Sequence, residues 1–137
     1  MQPAAILEAA LYVSDLEEAE RFYGEVLGLE HISKVDGRHV FFRCGNAVLL
    51  LFNPDATEVP PGPDARLPVP PHGARGDGHL CFSASAEDIE MWKTRLQTHN
   101  IKIEADFEWP KGGRSIYFRD PFGNSLEFAE PRIWGLD

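Results

Sequence analysis

Residues 41–54 read FFRCGNAVLLLFNP and residues 117–131 read YFRDPFGNSLEFAEP. Each is an apolar or aromatic run, a turn signal built on glycine and asparagine, and a second run, which is the pattern of a β-hairpin. What precedes them also matches. LEAALYV at 7–13 and GHLCFSA at 78–84 are alternating strands, and each leads into a helical period. In the first copy Ser14 or Asp15 can cap a helix whose stripe is Leu16, Ala19, Phe22, Tyr23, Val26 and Leu27, with Gly28 as its stop. In the second, Ser85 can cap a helix with Ile89, Trp92 and Leu96 on one side.

The chain is therefore a duplication, and the fold class it predicts is α+β, with two strand-helix-strand-strand-strand (βαβββ) modules. Module 1 covers about 5–54 and module 2 about 78–131, within a single domain of residues 1–137. Residues 53–77 hold seven of the eleven prolines, so the connector, 55–77, is expected as a stiff, extended spacer without helix. Residues 132–137 form a tail whose Ile133, Trp134 and Leu136 are expected to dock on the body or on a partner. One module cannot cover its own curved sheet. The two are expected to pair as half-barrels around a cup, helices outside, within one chain or across a subunit interface.

A formal net charge of -9 with no basic stripe excludes nucleic acid and anionic membranes as expected partners, because both demand clustered Lys and Arg. Cys44 and Cys81 are too few for a disulfide scaffold, no apolar run reaches a membrane span, and the N-terminus lacks a signal-peptide pattern. The expected location is the cytoplasm.

Glu127 is the anomaly in this scheme. It lies between Leu126 and Phe128 in an otherwise apolar strand, with no neighbouring Lys or Arg, and an unpaired buried carboxylate costs several kcal/mol. Superposing the modules sets Glu8 against His79, both opposite the helix-packed faces of their strands. Alternation puts Ala10 and Tyr12 beside Glu8, Cys81 and Ser83 beside His79, and Ser125 and Ala129 beside Glu127. One imidazole and two carboxylates from three strands can thus converge on one divalent metal. Tyr117, one strand from Glu127, can donate to an oxyanion or shuttle a proton, which makes Glu127 and Tyr117 the catalytic candidates. Tyr12, Ser115, and Lys111 and Arg114 from the loop WPKGGRS are the substrate-binding candidates, the loop being a candidate mobile lid that meets an anionic substrate.

In LYVSDLEEAERFYGEVLGL, GHLCF and YFRDPFGNSLEF the chain resembles the vicinal oxygen chelate superfamily, which includes glyoxalases, bleomycin-resistance proteins, extradiol dioxygenases and fosfomycin thiol transferases. The likeness runs from Ile6 to Pro131. It implies metal ligands at Glu8, His79 and Glu127, and one divalent ion per site: Zn, Mn, Fe, Ni, Co or Mg. The ion would act as a Lewis acid on a small substrate with two adjacent oxygens. It also implies a homodimer in which sites are shared between subunits. Glyoxalase I enzymes of this family carry a fourth carboxylate on the last strand of module 1, where this chain has Leu49 or Leu50. The resemblance therefore favours a lyase or isomerase other than glyoxalase I, a thiol transferase or a dioxygenase. The alternative is a metal-free protein of the bleomycin-resistance type that binds a drug or metabolite.

Overall fold

Asp15 and Ser85 start the two helices in the same way. Each is extended, and its side chain accepts from the backbone N–H three residues on, Glu18 and Asp88 respectively, at 3.0 Å. The computed structural model describes residues 1–136, so the last residue of the tail lies outside them. The chain divides into two compact units, Met1–Gly76 and Asp77–Asp137.

In the first unit, β1 (Glu8–Tyr12), α1 (Leu16–Arg21), β2 (Glu30–Val35), β3 (His39–Cys44) and β4 (Ala47–Phe52) form a four-stranded sheet in the order β1-β4-β3-β2. The β1–β4 pair is parallel and the others antiparallel. Leu11, Val13, Val40, Phe42, Leu49 and Leu51 are buried on the face that α1 covers. Leu7, the first residue of the expected strand 7–13, precedes β1 and is exposed. The expected helix through Leu27 is not a single α-helix. It ends at Arg21 and widens into a π-helical turn, Phe22–Val26, closed by Leu27 N–H donating to Phe22 O at 3.1 Å. The wider turn lets the adjacent Phe22 and Tyr23, edge-to-face at 5.1 Å, both be buried. Gly28, at φ 71°, then takes the left-handed conformation that stops the helix.

The connector also departs from expectation. It opens with one helical turn, α2 (Pro54–Thr57), because a proline at the first helical position forfeits no hydrogen bond, and Asn53 caps it through Asp55 N–H at 3.0 Å. It then folds back instead of running out. His72 N–H donates to Thr57 O at 3.0 Å, and Arg75 pairs with Asp55 at 2.7 Å and Glu58 at 2.9 Å.

The second unit has the same order: β5 (His79–Ser83), α3 (Ala86–Thr98), β6 (Ala105–Glu108), β7 (Arg114–Arg119) and β8 (Ser125–Ala129), arranged β5-β8-β7-β6 with β5 and β8 parallel. Its core is Phe82, Ile89, Leu96, Ile116, Phe118, Leu126 and Phe128, and Trp92 stacks on Phe128 at 4.5 Å. In the tail, Pro131–Trp134 makes a 3-10 turn in which Ile133 is half-buried, whereas Trp134 and Leu136 stay exposed on their own chain. No helix among the described residues is long and apolar enough to cross a membrane.

Candidate metal centre

Strand β8 carries Glu127 into a setting with 5% of its surface exposed, and each carboxylate oxygen has its own partner. Ser115 Oγ donates to Oε2 at 2.6 Å, while His79 Nε2 lies 3.3 Å from Oε1. His79 Nδ1 is 2.9 Å from Ser125 O. A carbonyl only accepts, so Nδ1 carries the hydrogen and donates, which turns Nε2 toward Glu127.

This pair fits a metal. Two ligands about 2.1 Å from one ion, at angles between octahedral and tetrahedral, stand about 3.0–3.4 Å apart, and Nε2 and Oε1 fall in that range. The outer atoms, Nδ1 and Oε2, are both tied down, as the supporting partners of metal ligands usually are. Among the described residues no group of three or more His, Cys, Asp and Glu side chains is gathered so as to hold an ion. Glu8 belongs to the first unit, where it opens β1, is exposed, and has no salt bridge among the described residues. His79 and Glu127 are thus brought together by the second unit, and Glu8 belongs to the first.

Two further groups face Glu127 from the neighbouring strands. Cys81 is opposite it in the β5–β8 ladder and Tyr117 in the β7–β8 ladder. Burial, then the Glu127 carboxylate, pushes each up to about 12. At neutral pH Cys81 is a thiol rather than a thiolate nucleophile, and Tyr117 is a phenol that can donate. The Tyr117 ring also stacks with His79 at 6.2 Å and Phe107 at 5.8 Å.

The substrate-binding candidates separate. Ser115 accepts from Trp109 Nε1 at 2.8 Å, and its own hydrogen goes to Glu127, so it positions the carboxylate. Arg114, its neighbour along β7, points to the opposite face by simple alternation. It lies among carboxylates there, bonded to Asp106 at 2.8 and 2.9 Å and to Glu90 on α3. Lys111 is on the Trp109–Gly113 loop beside a cavity of about 330 Å³ that Trp109, Ile133 and Trp134 also line. Tyr12 shares a 2.7 Å hydrogen bond with His72 in the first unit.

The ladders also resolve the fourth position. Ala10 pairs with Leu50 in β1–β4 as Cys81 pairs with Glu127 in β5–β8, and Glu8 and His79 each open their strand, so Leu50 is the counterpart of Glu127. Trp109 was invisible to sequence reasoning, because its bond to Ser115 crosses a loop and leaves no periodic trace. Cys81 was legible, since strand parity alone puts it beside His79.

A family model described as the glyoxalase/bleomycin resistance protein/dioxygenase superfamily matches residues 5–128. A crystal structure of lactoylglutathione lyase from Agrobacterium tumefaciens is 45% identical, covers 99% of this chain and 100% of its own, and superposes with a TM-score of 0.90. Glutathione transferase FosA of Serratia marcescens is 31% identical over 85% of this chain and 74% of that protein. A virulence protein of Salmonella typhimurium is 29% identical over 88% of this chain and 79% of that protein.

Proposed function

The chain belongs to the glyoxalase/bleomycin resistance protein/dioxygenase superfamily, and from that premise we propose that it is a metal-dependent enzyme acting on a small substrate with adjacent oxygens. His79 and Glu127 hold one divalent ion, with Glu8 of the partner subunit as the third ligand. The observation that carries this reading is the 3.3 Å approach of His79 Nε2 to Glu127 Oε1, with Nδ1 and Oε2 each fixed by a second hydrogen bond. Zn, Mn, Fe, Ni, Co and Mg all suit two carboxylates and one imidazole. When bound, the ion supplies a Lewis acid to the two substrate oxygens.

The protein's own groups do the rest. Ser115 holds Glu127 in one rotamer. Tyr117 keeps its proton at neutral pH and donates it from the phenol oxygen as a hydrogen bond toward developing negative charge. Leu50, in the fourth position, can supply neither a ligand nor a base, which separates this reaction from that of glyoxalase I. The named lyase and transferase relatives both carry glutathione in their names, which supports a thiol or thiol adduct among the substrates.

Elemental analysis of protein purified without chelators tests the reading. We expect about one divalent ion per chain, lost in His79→Ala. A protein that carries no metal and cannot be loaded with any of the six would instead be a binding member of the family.

A further inference from the structure

The open face of the first sheet is a wall of rings. Alternation places Ala10 and Tyr12 of β1, Leu50 and Phe52 of β4, and His39 and Phe41 of β3 on the side away from α1. Val69, Pro70, Pro71 and His72 of the connector come down beside Phe52 and enclose a cavity of about 670 Å³, the size of a pocket for a small molecule. The enclosing segment is held in place by the Tyr12–His72 hydrogen bond and by His72 N–H on Thr57 O.

The rings are ordered against one another. His39 lies flat on Phe41 at 3.9 Å and 8°, and Phe52 meets Phe41, His39 and His72 edge-on at 5.4, 5.8 and 4.6 Å. Such a surface takes a flat apolar body by stacking and edge contacts. Arg38, half-buried, also lines the cavity. In the same unit Arg43 pairs with Glu30 and Arg75 with Asp55 and Glu58, but Arg38 has no carboxylate partner among the described residues. Burial, and then Arg38 itself, lowers the pKa of His39, so this imidazole packs as a neutral ring and the positive charge beside it is that of Arg38. Glu8 lines the cavity too, but on the reading above it is a metal ligand and does not attract a cation.

We propose that this cavity binds a small molecule joining a planar aromatic body to an anionic group, the ring against Phe41 and Phe52 and the anion on Arg38. This names the substrate class of the proposed enzyme and rests on that reading through Glu8.

Calorimetric titration with 2-naphthoate, 2-naphthamide and 2-naphthylmethylammonium tests it, on the protein as purified and after chelation. Naphthoate should bind about tenfold or more tighter than the amide and the ammonium, since a charge-assisted hydrogen bond is roughly twice as strong as a neutral one. Arg38→Ala should erase that preference while its melting temperature and metal content stay at wild-type values. Phe41→Ala should weaken naphthoate and naphthamide alike. No binding of naphthoate at millimolar concentration, tighter binding of the ammonium, or a naphthoate preference that survives Arg38→Ala would each overturn the proposal. If the purified protein holds no metal, yet shows a naphthoate preference that depends on Arg38, the cavity assignment stands and the metal reading fails. Normal metal content with a preference indifferent to Arg38 is the reverse.

Discussion

Ser115 Oγ and Glu127 Oε2 are 2.6 Å apart in the interior of the second unit, and the direction of that bond is fixed from outside. Trp109 Nε1 can only donate, so the Ser115 hydroxyl must accept from it and give its single hydrogen to Glu127. Glu127 is left with Oε1 turned to His79, whose other nitrogen is spent on Ser125 O. Trp109, Ser115 and Glu127 thereby form one run of donors and acceptors, and His79, anchored on the Ser125 carbonyl, faces its open end.

Breaking that chain at its middle should be costly. Ser115→Ala leaves one oxygen of a buried carboxylate without its donor, which should lower stability by about 1–3 kcal/mol and metal affinity by about 10- to 100-fold. Trp109→Phe frees the hydroxyl to rotate but keeps the donor, so its effect on metal affinity should be smaller and its effect on stability within about 1 kcal/mol. Urea unfolding and competitive metal titration of both variants read this out. Equal effects would show that Ser115 cannot hold Glu127 without the Trp109 hydrogen bond, against the expectation.

If His79 and Glu127 hold the ion, folding and metal binding are linked. Glu127→Gln should lose metal and melt lower than wild type in the same preparation. Chelation should lower the wild-type melting temperature and leave that of Glu127→Gln unchanged. Full metal occupancy in Glu127→Gln would exclude the site.

Much of this was legible in the sequence, and the boundary is physical. A cap at Ser14 or Asp15, a cap at Ser85, Gly28 as a stop and the doubled βαβββ order follow from local propensity and a period of two or 3.6, while the choice of Asp15 comes from the structure. The pairing of His79 with Glu127 followed from strand parity once the duplication was seen. The same parity argued against grouping Arg114 with Ser115, because adjacent strand residues face opposite ways. The π-helical turn at Phe22–Val26 was not legible, since it answers to how two neighbouring rings fit one sheet. Nor was the return of His72 to Tyr12, a contact sixty residues apart in sequence with no pattern between.

With Leu50 as the counterpart of Glu127, the chain lacks the base and ligand that a fourth carboxylate provides. Turnover of the methylglyoxal–glutathione hemithioacetal should stay well below ~10 per second with any of the six metals. The 45% identity to a lactoylglutathione lyase structure makes this a severe test. An ordinary enzymatic rate would show that Leu50 does not exclude the reaction.

Asp106 gives a pH prediction away from the site. The hydrogen bond from Arg114, aided by Lys93 at 2.7 Å and opposed by partial burial, holds its carboxyl down to about 2 from an ordinary 3.8. The folded state thus favours the ionised form. The stabilisation is complete above about pH 4 and lost as pH falls through about 2. Asp106→Asn should cost about 1 kcal/mol at pH 7, after allowance for solvent screening. It should also fall less steeply than wild type between pH 4 and 2, a difference that urea midpoints across that range would show. Parallel curves for the two proteins would refute the assignment.

His79 and Glu127 belong to one compact unit and Glu8 to the other, and the proposed enzyme is a homodimer whose sites combine units of two chains. The connector folds back on its own unit through His72 and Arg75, so its course does not decide between the two arrangements, and complementation does. Glu8→Ala and Glu127→Ala proteins should each bind little metal alone. In a mixed dimer on a closed twofold axis, one site carries both lesions and the other carries none. Random pairing makes half of the dimers mixed, and half of their sites intact, so tightly bound metal should recover to roughly a quarter of wild type after co-refolding. If each chain supplied all three ligands to its own site, every site in the mixture would carry one lesion and nothing would return. Mass spectrometry of the refolded pool establishes that mixed dimers are present, and metal recovery measured on the same pool then decides between the two arrangements.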